Sequence, residues 1–408
     1  MISKRRIGPN LVAAAVVACA SSAMAADWSQ FRGPSGDGTT EAANLPVQWG
    51  KDKGMRWKAP LPGRGLSCPV VAGDRVYVTA CTGPEDRRLH VLAFDIKTGK
   101  QLWQRSLAAT GSTMCHPKTS MAAPTPVTDG KNVYALFASG DLAAYNRDGH
   151  LLWYRSLVGD YPTITNQVGM AASPVWAGNT LVIPMDNDGE SFLAGIDPVS
   201  GRNRWKVDRP KDINWVSPIV RQLQGQAEVL FQNKSEITAY DAETGKVRWS
   251  YTGTGLSTIP SPAIDGDRVL VPAGELISIK PGTGTPEVVW KSTRLAPRGY
   301  PSPLVYQGRI YSINSAGVLV CAKAGDGTVL WQERLKSGGP FAASPVAADG
   351  KIYVVNEKGI CSVVRAGDKP EVLASNDLGD EVLATPALVN GAIFLRTDKH
   401  LYCIGSSN

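Results

Sequence analysis

Residues 239–249 read AYDAETGKVRW, and the same arrangement returns at AFDIKTGKQLW (93–103) and GIDPVSGRNRW (195–205). Each stretch opens on a small residue, carries Asp at its third place and Gly at its seventh, and closes on Trp. The residue types have physical reasons. An Asp carboxylate accepts the N–H groups of a tight turn, Gly tolerates positive φ, and Trp presents a broad flat face to a neighbouring unit. Looser versions stand at AYNRDGHLLW (144–153), SIKPGTGTPEVVW (278–290) and CAKAGDGTVLW (321–331).

A second repeat precedes the first. Cys68-Pro69, Thr125-Pro126, Ser173-Pro174, Ser217-Pro218, Ser261-Pro262, Ser302-Pro303, Ser344-Pro345 and Thr385-Pro386 have prolines 57, 48, 44, 44, 41, 42 and 41 residues apart. Proline has no N–H for a sheet ladder, so it belongs at the start of a strand, on an edge or at a bulge. Here it leads into an apolar pair, a Gly/Asp/Asn turn and a second apolar run such as Arg75-Val76-Tyr77-Val78, the pattern of a hairpin. Each unit then holds four strands in about forty residues, the period of a propeller blade. Seven units start and finish, the seventh weakly, with Leu373 at the Trp place, while the eighth stops after three strands at LYCIG (401–405). MRWKAPLPG (55–63), with Trp57, offers the missing outer strand, and pairing the two ends removes an exposed sheet edge. The expected fold is all-β: an eight-bladed β-propeller of four-stranded antiparallel blades over residues 55–408, the last blade completed by an N-terminal strand.

Residues 1–25 carry Lys4, Arg5 and Arg6 ahead of a short apolar run ending in Ala23-Met24-Ala25, which reads as a secretory signal peptide cleaved after Ala25. Val16-Val17-Ala18-Cys19 offers a lipoprotein cleavage box instead, with Cys19 as a membrane tether. Either way the chain reads as exported, to the periplasm or beyond. Cleavage after Ala25 removes three basic residues and no acidic one, so the formal charge falls from +7 to +4. That excess, without a Lys/Arg run, predicts no nucleic-acid partner. The remaining cysteines, Cys68, Cys81, Cys115, Cys321, Cys361 and Cys403, show no CxxC spacing. Cys68 and Cys81 flank one hairpin and are the first pair to test for a disulfide. Cys321 and Cys403 share the repeat position of Ala144, which favours buried thiols.

The repeated A-x-D-x-x-T-G-x-x-x-W resembles the pyrroloquinoline-quinone-like (PQQ-like) propeller family, which includes quinoprotein alcohol dehydrogenases and BamB-type lipoproteins. The WD-type landmarks, Gly-His and Trp-Asp, are absent. DWSQFRGPSGDG (27–38) and CHPKTSMAAPTPVTDG (115–130) are similar to segments of exported planctomycete-type propellers. The first of them reads as an anchor within residues 26–54, with Trp28 and Phe31 docking on the ring.

Propeller ligands meet the loops at one channel mouth. The loops entering the inner strands carry Arg64, His116, Lys118, Asn166, Gln167, Asn214, Trp215, Arg298, Tyr300 and Phe341. As a site, these suit an anionic or planar ligand, with Arg64, Lys118 and Arg298 as charge partners and Trp215 as a stacking face. As a plain rim, eight loops carry such residues in any case. Asp186, Asp188 and Glu190 form a fragment of a calcium loop, although Asn187-Asp188-Gly189 also reads as a hairpin turn. The resemblance to quinoprotein dehydrogenases implies a quinone over a Trp floor, calcium held by Glu, Asn and Asp, an Asp base and adjacent bonded cysteines. This sequence has no Cys-Cys pair and no haem motif, and it carries no G-x-S-x-G or P-loop. The preferred expectation is a non-catalytic scaffold, without cofactor or metal, that binds an envelope protein, a peptide or a small anionic ligand. The alternative is a periplasmic oxidoreductase of alcohols or sugars using PQQ with calcium.

Overall fold

A computed structural model of the chain describes residues 27–51, 53–165, 167–282 and 284–406. The signal sequence, Cys19 and Asn166 lie outside the described residues. Eight four-stranded antiparallel sheets follow one another around a ring. Blades 1 to 7 span 70–108, 127–156, 175–208, 219–252, 263–292, 304–334 and 346–377. Blade 8 takes Ala387–Val389, Ala392–Arg396 and His400–Ile404, with Met55–Pro60 as its outer strand. Met55 lies opposite Ile404 and Lys58 opposite Tyr402, so the two ends of the ring are joined through one sheet. Each repeated proline sits immediately before the first residue of an innermost strand, outside the ladder it cannot serve.

The small residue that opens each repeat faces its Trp across the sheet: Ala93 opposite Trp103, Gly195 opposite Trp205, Cys321 opposite Trp331 and Cys403 opposite Trp57. A Cβ added at Gly195 would stand 2.3 Å from the Trp205 ring, which explains the demand for small side chains there. The indoles then reach the following blade. Trp57, Trp103, Trp153, Trp205, Trp290 and Trp331 each donate Nε1–H to a turn carbonyl of the next unit. That turn is built by its Asp. Asp197 Oδ1 accepts the Val199 and Ser200 N–H groups, and the Ser200 N–H, with Arg204, holds the carboxyl down at about 2. The turn Gly has positive φ and lies under the ring; a Cβ at Gly149 would approach Trp103 to 2.7 Å. Small residue, Asp, Gly and Trp are thus one interblade joint.

Blade 7 departs from the sequence expectation. Its register sets Ala374, not Leu373, opposite Val363 at the Trp place, because its turn is one residue longer: Val364 pairs with Val372, where Phe94 pairs with Gln101. The missing indole comes from elsewhere. Trp49, 6% exposed, packs 6.4 Å from Tyr353, as Trp103 packs against Tyr77 and Trp331 against Tyr311 in their own blades. Its backbone N–H donates to Asn376 Oδ1, and Asn376 Nδ2–H donates to the Val47 carbonyl. The stretch before the ring therefore completes two blades, giving a Trp to the seventh and a strand to the eighth.

Residues 27–40 cross the end of the channel away from the mouth loops. Trp28 is fully buried and bridges Val71; Ser29 O accepts the Thr128 N–H; Gln30 accepts the Trp176 N–H; Thr39 bridges Ala347. Arg32, 0% exposed, donates to the carbonyls of Pro262 and Pro303. These partners lie at the proline or just after it, so the segment binds blades 1, 2, 3, 5, 6 and 7 along their innermost strands. Trp28 packs against blade 1, and Phe31 lines the channel cavity. All six cysteines among the described residues are free, including Cys68 and Cys81. Both are buried, and no described helix is long and apolar enough to cross a membrane.

Candidate functional site

The eight residues before the repeated prolines meet around the axis. The Cys68 N–H donates to Thr125 Oγ1, Thr125 to Ser173, Ser173 to Ser217, Ser217 to Ser261, Ser261 to Ser302, Ser302 to Ser344 and Ser344 to Thr385, all at 2.9–3.0 Å. The Cys68 thiol closes the circle against the Thr385 backbone, and burial raises its pKa. Each hydroxyl satisfies the buried backbone N–H of the preceding blade, which that blade's own ladder leaves free. This is the reason for Ser or Thr before proline in every repeat but the first.

The ring encloses a cavity of about 310 Å³. Phe31 closes it from the crossing segment, and Leu66, Val168, Ile259 and Leu383 supply apolar wall. At the mouth stand His116, Lys118, Trp215 and Tyr300. Trp215 is fixed by its indole N–H to the Gly169 carbonyl at 2.8 Å. Lys118 Nζ lies 3.0 Å from both Glu357 oxygens and 5.5 Å from the Tyr300 ring centroid. The Glu357 bond raises the Lys118 pKa and keeps the ammonium charged. His116 Nδ1 accepts the Lys118 backbone N–H at 3.1 Å, which fixes the ring beside it.

Residues 39–183, 163–299 and 285–371 match the family described as outer membrane protein assembly factor BamB. The chain belongs to this BamB family. BamB of Yersinia pestis is 24% identical over 305 residues, 63% of this chain and 75% of the relative. A polyvinylalcohol dehydrogenase of a Pseudomonas species is 25% identical over 242 residues, 48% of this chain, and the match spans only 35% of that enzyme's length. Among solved structures, BamB from Moraxella catarrhalis superposes with TM-score 0.64 at 14% identity, covering 87% of this chain and 98% of that one. Quinohemoprotein alcohol dehydrogenase from Comamonas testosteroni gives 0.69 at 14% identity, covering 95% and 82%. At such identities the structures share the fold, and the site of this BamB-family chain rests on its own residues.

Of the mouth residues expected from sequence, His116, Lys118, Trp215 and Tyr300 share the cavity wall, and the others stand apart. Arg64 donates to the Pro117 carbonyl and faces Asp398 at 3.6 Å, bracing the His116 loop from outside. Arg298 is exposed beyond the wall. Phe341, 0% exposed, belongs to the apolar core of blades 6 and 7 rather than the mouth. Gln167 and Asn214 flank a side crevice of about 10 Å³ that also touches Asp186 and Asp188. There Asp186 is held by Arg209 at 2.8 Å in a buried pair and accepts from Asn214 at 2.9 Å. Glu190 pairs with Lys206 at 3.0 Å, and Asp188 is exposed. The three acidic residues are therefore engaged separately, and no cluster of three metal-ligating side chains occurs among the described residues. Sequence reading missed Phe31 as cavity floor, Glu357 as the partner of Lys118, and the axial convergence of the Ser/Thr side chains. The last had a signal, since equivalent positions of a closed ring face one axis; Glu357, in an ordinary turn 239 residues from Lys118, had none.

Proposed function

We propose that this chain is an exported, non-catalytic propeller of the cell envelope that binds a partner at the channel mouth. The observation that carries the reading is the make-up of the cavity wall: hydroxyls, aromatic rings, His116 and one paired Lys, with no Asp or Glu among the described residues. Calcium-assisted quinone chemistry needs oxygen ligands on the metal and a carboxylate base beside the substrate. Asp186, the one buried carboxylate of the three expected, is consumed by Arg209 and Asn214, so this donor set does not fit a calcium-bound quinone. Kinship with BamB proteins supports an envelope location and a protein partner at the mouth loops, and the leader-like residues 1–25 support export. The oxidoreductase alternative draws on the polyvinylalcohol dehydrogenase similarity, confined to 35% of that enzyme.

Two measurements test the reading together. Purified protein supplied with quinone and calcium is expected to reduce no dye with alcohols or sugars, while photo-crosslinkers at Arg298 and Tyr300 in the native envelope give a discrete protein adduct. Turnover that depends on quinone and calcium would contradict it.

A further inference from the structure

The hydroxyl ring does more than join blades. Each of its seven hydroxyl oxygens accepts a backbone N–H; Thr125 and Thr385 also donate to the Cys68 sulfur, while among the described residues none of the five serine O–H groups donates to a protein acceptor. All seven side chains line the cavity, and all seven residues are at most 4% exposed, so the five serine donors have only the cavity to serve. Beside the floor residue Phe31, the Arg32 guanidinium is hydrogen-bonded only to main-chain carbonyls among the described residues, those of Asp37, Pro262 and Pro303, with the Asp37 carboxylate acting on it from beyond ion-pair distance. Two of these carbonyls belong to the residues that follow Ser261 and Ser302 in the ring. The site thus offers inward donors and a nearby buried positive charge that no ion pair cancels, against no acidic wall residue. In a low-dielectric pocket, charge-assisted O–H donors favour an anion strongly over a neutral group.

We infer that the axial cavity is a receptor for a small organic carboxylate, its anionic end in the Ser/Thr ring and its apolar or aromatic body between Trp215 and Tyr300. The inference rests on the binding-protein reading above and names the ligand class of that site. The apolar residues Leu66, Ile259 and Leu383 argue against a bare inorganic anion, because such an ion gains nothing from them. Lys118, already paired with Glu357, guides entry without being the main charge partner.

The test titrates the full chain with three probes of one shape: benzoate, benzyl alcohol and benzylammonium, followed by calorimetry and Trp fluorescence. Benzoate is expected to bind at least about tenfold more tightly than benzyl alcohol, since one hydrogen bond to a charged group is worth about that factor, and benzylammonium not at all. The variant Ser261→Cys/Ser302→Cys keeps the ring, because Cys68 already serves as a member, but replaces strong donors by weak ones. It is expected to weaken benzoate about fivefold or more while leaving benzyl alcohol within about twofold. Should that variant misfold, the three-probe comparison on the unaltered protein still decides. Equal affinity for benzoate and benzyl alcohol overturns the carboxylate assignment but leaves a binding protein; no binding by any probe overturns it as well. Inorganic phosphate competing as well as benzoate would also contradict it. Dye-reducing turnover would instead fail the underlying reading.

Discussion

Trp49→Ala lowers the stability of the ring by about 3–5 kcal/mol, the range for removing a buried aromatic side chain, although residue 49 precedes every blade. The reason lies in blade 7, which has Ala374 where each of the seven other units carries an indole, six from their own outer strand and blade 8 from Trp57. Trp49 fills that slot against Tyr353 and is held by Asn376 through backbone groups on both sides. Truncation opens a cavity between blades 7 and 8 that the rigid sheets cannot collapse into. A thermal melt reads the loss. The double variant Trp49→Ala/Ala374→Trp is expected to recover part of it, giving a favourable coupling term. In the unaltered background Ala374→Trp alone should destabilise, since the slot is full. A Trp49→Ala protein as stable as the parent would show that the indole is ornamental.

Arg32→Ala is expected to cost a comparable amount. Its guanidinium donates to carbonyls 230 and 271 residues away, on blades 5 and 6. Burial pulls its pKa down to about 10, against the pull of Asp37, which leaves the guanidinium charged at neutral pH. Removing it orphans two buried carbonyls at about 1–3 kcal/mol each, roughly 4 kcal/mol together. Arg32→Lys should rescue little, because a single ammonium does not reproduce the forked donor geometry. Protease cutting within 27–40, absent from the parent and present in Arg32→Ala at temperatures below its melt, would show that the segment has let go of the channel. Equal resistance in both proteins would refute the role given to Arg32.

The fold was legible because repetition multiplies weak local signals. One Ser-Pro or one Asp-x-x-x-Gly says little, but eight of the first and several of the second at a common period define strands, turns and ring size together. The sequence also showed that the last unit lacked a strand and that Trp57 could supply it. Trp49 stayed hidden, since nothing in LPVQWG marks it as belonging to a blade more than 300 residues away. The site was half legible. His116, Lys118, Trp215 and Tyr300 could be placed at a mouth by loop position alone. Arg64 and Phe341 could not be separated from them, because loop position does not say whether a side chain turns inward, braces a neighbouring loop or enters an interblade core. The Ser/Thr before each proline marks the start of a strand, whereas the role of its hydroxyl follows only from closure of the ring, which sets it against the N–H of the preceding blade.

The account depends on closure of the ring by its own N-terminal strand, and hydrogen exchange at single-residue resolution tests this most directly. The N–H groups of residues 55–59 that face His400–Ile404 in the ladder are expected to exchange as slowly as those of His400–Ile404, with both strands losing protection together in Trp57→Ala. Fast exchange at Met55–Pro60 alongside a protected His400–Ile404 would mean that the ring closes without that strand.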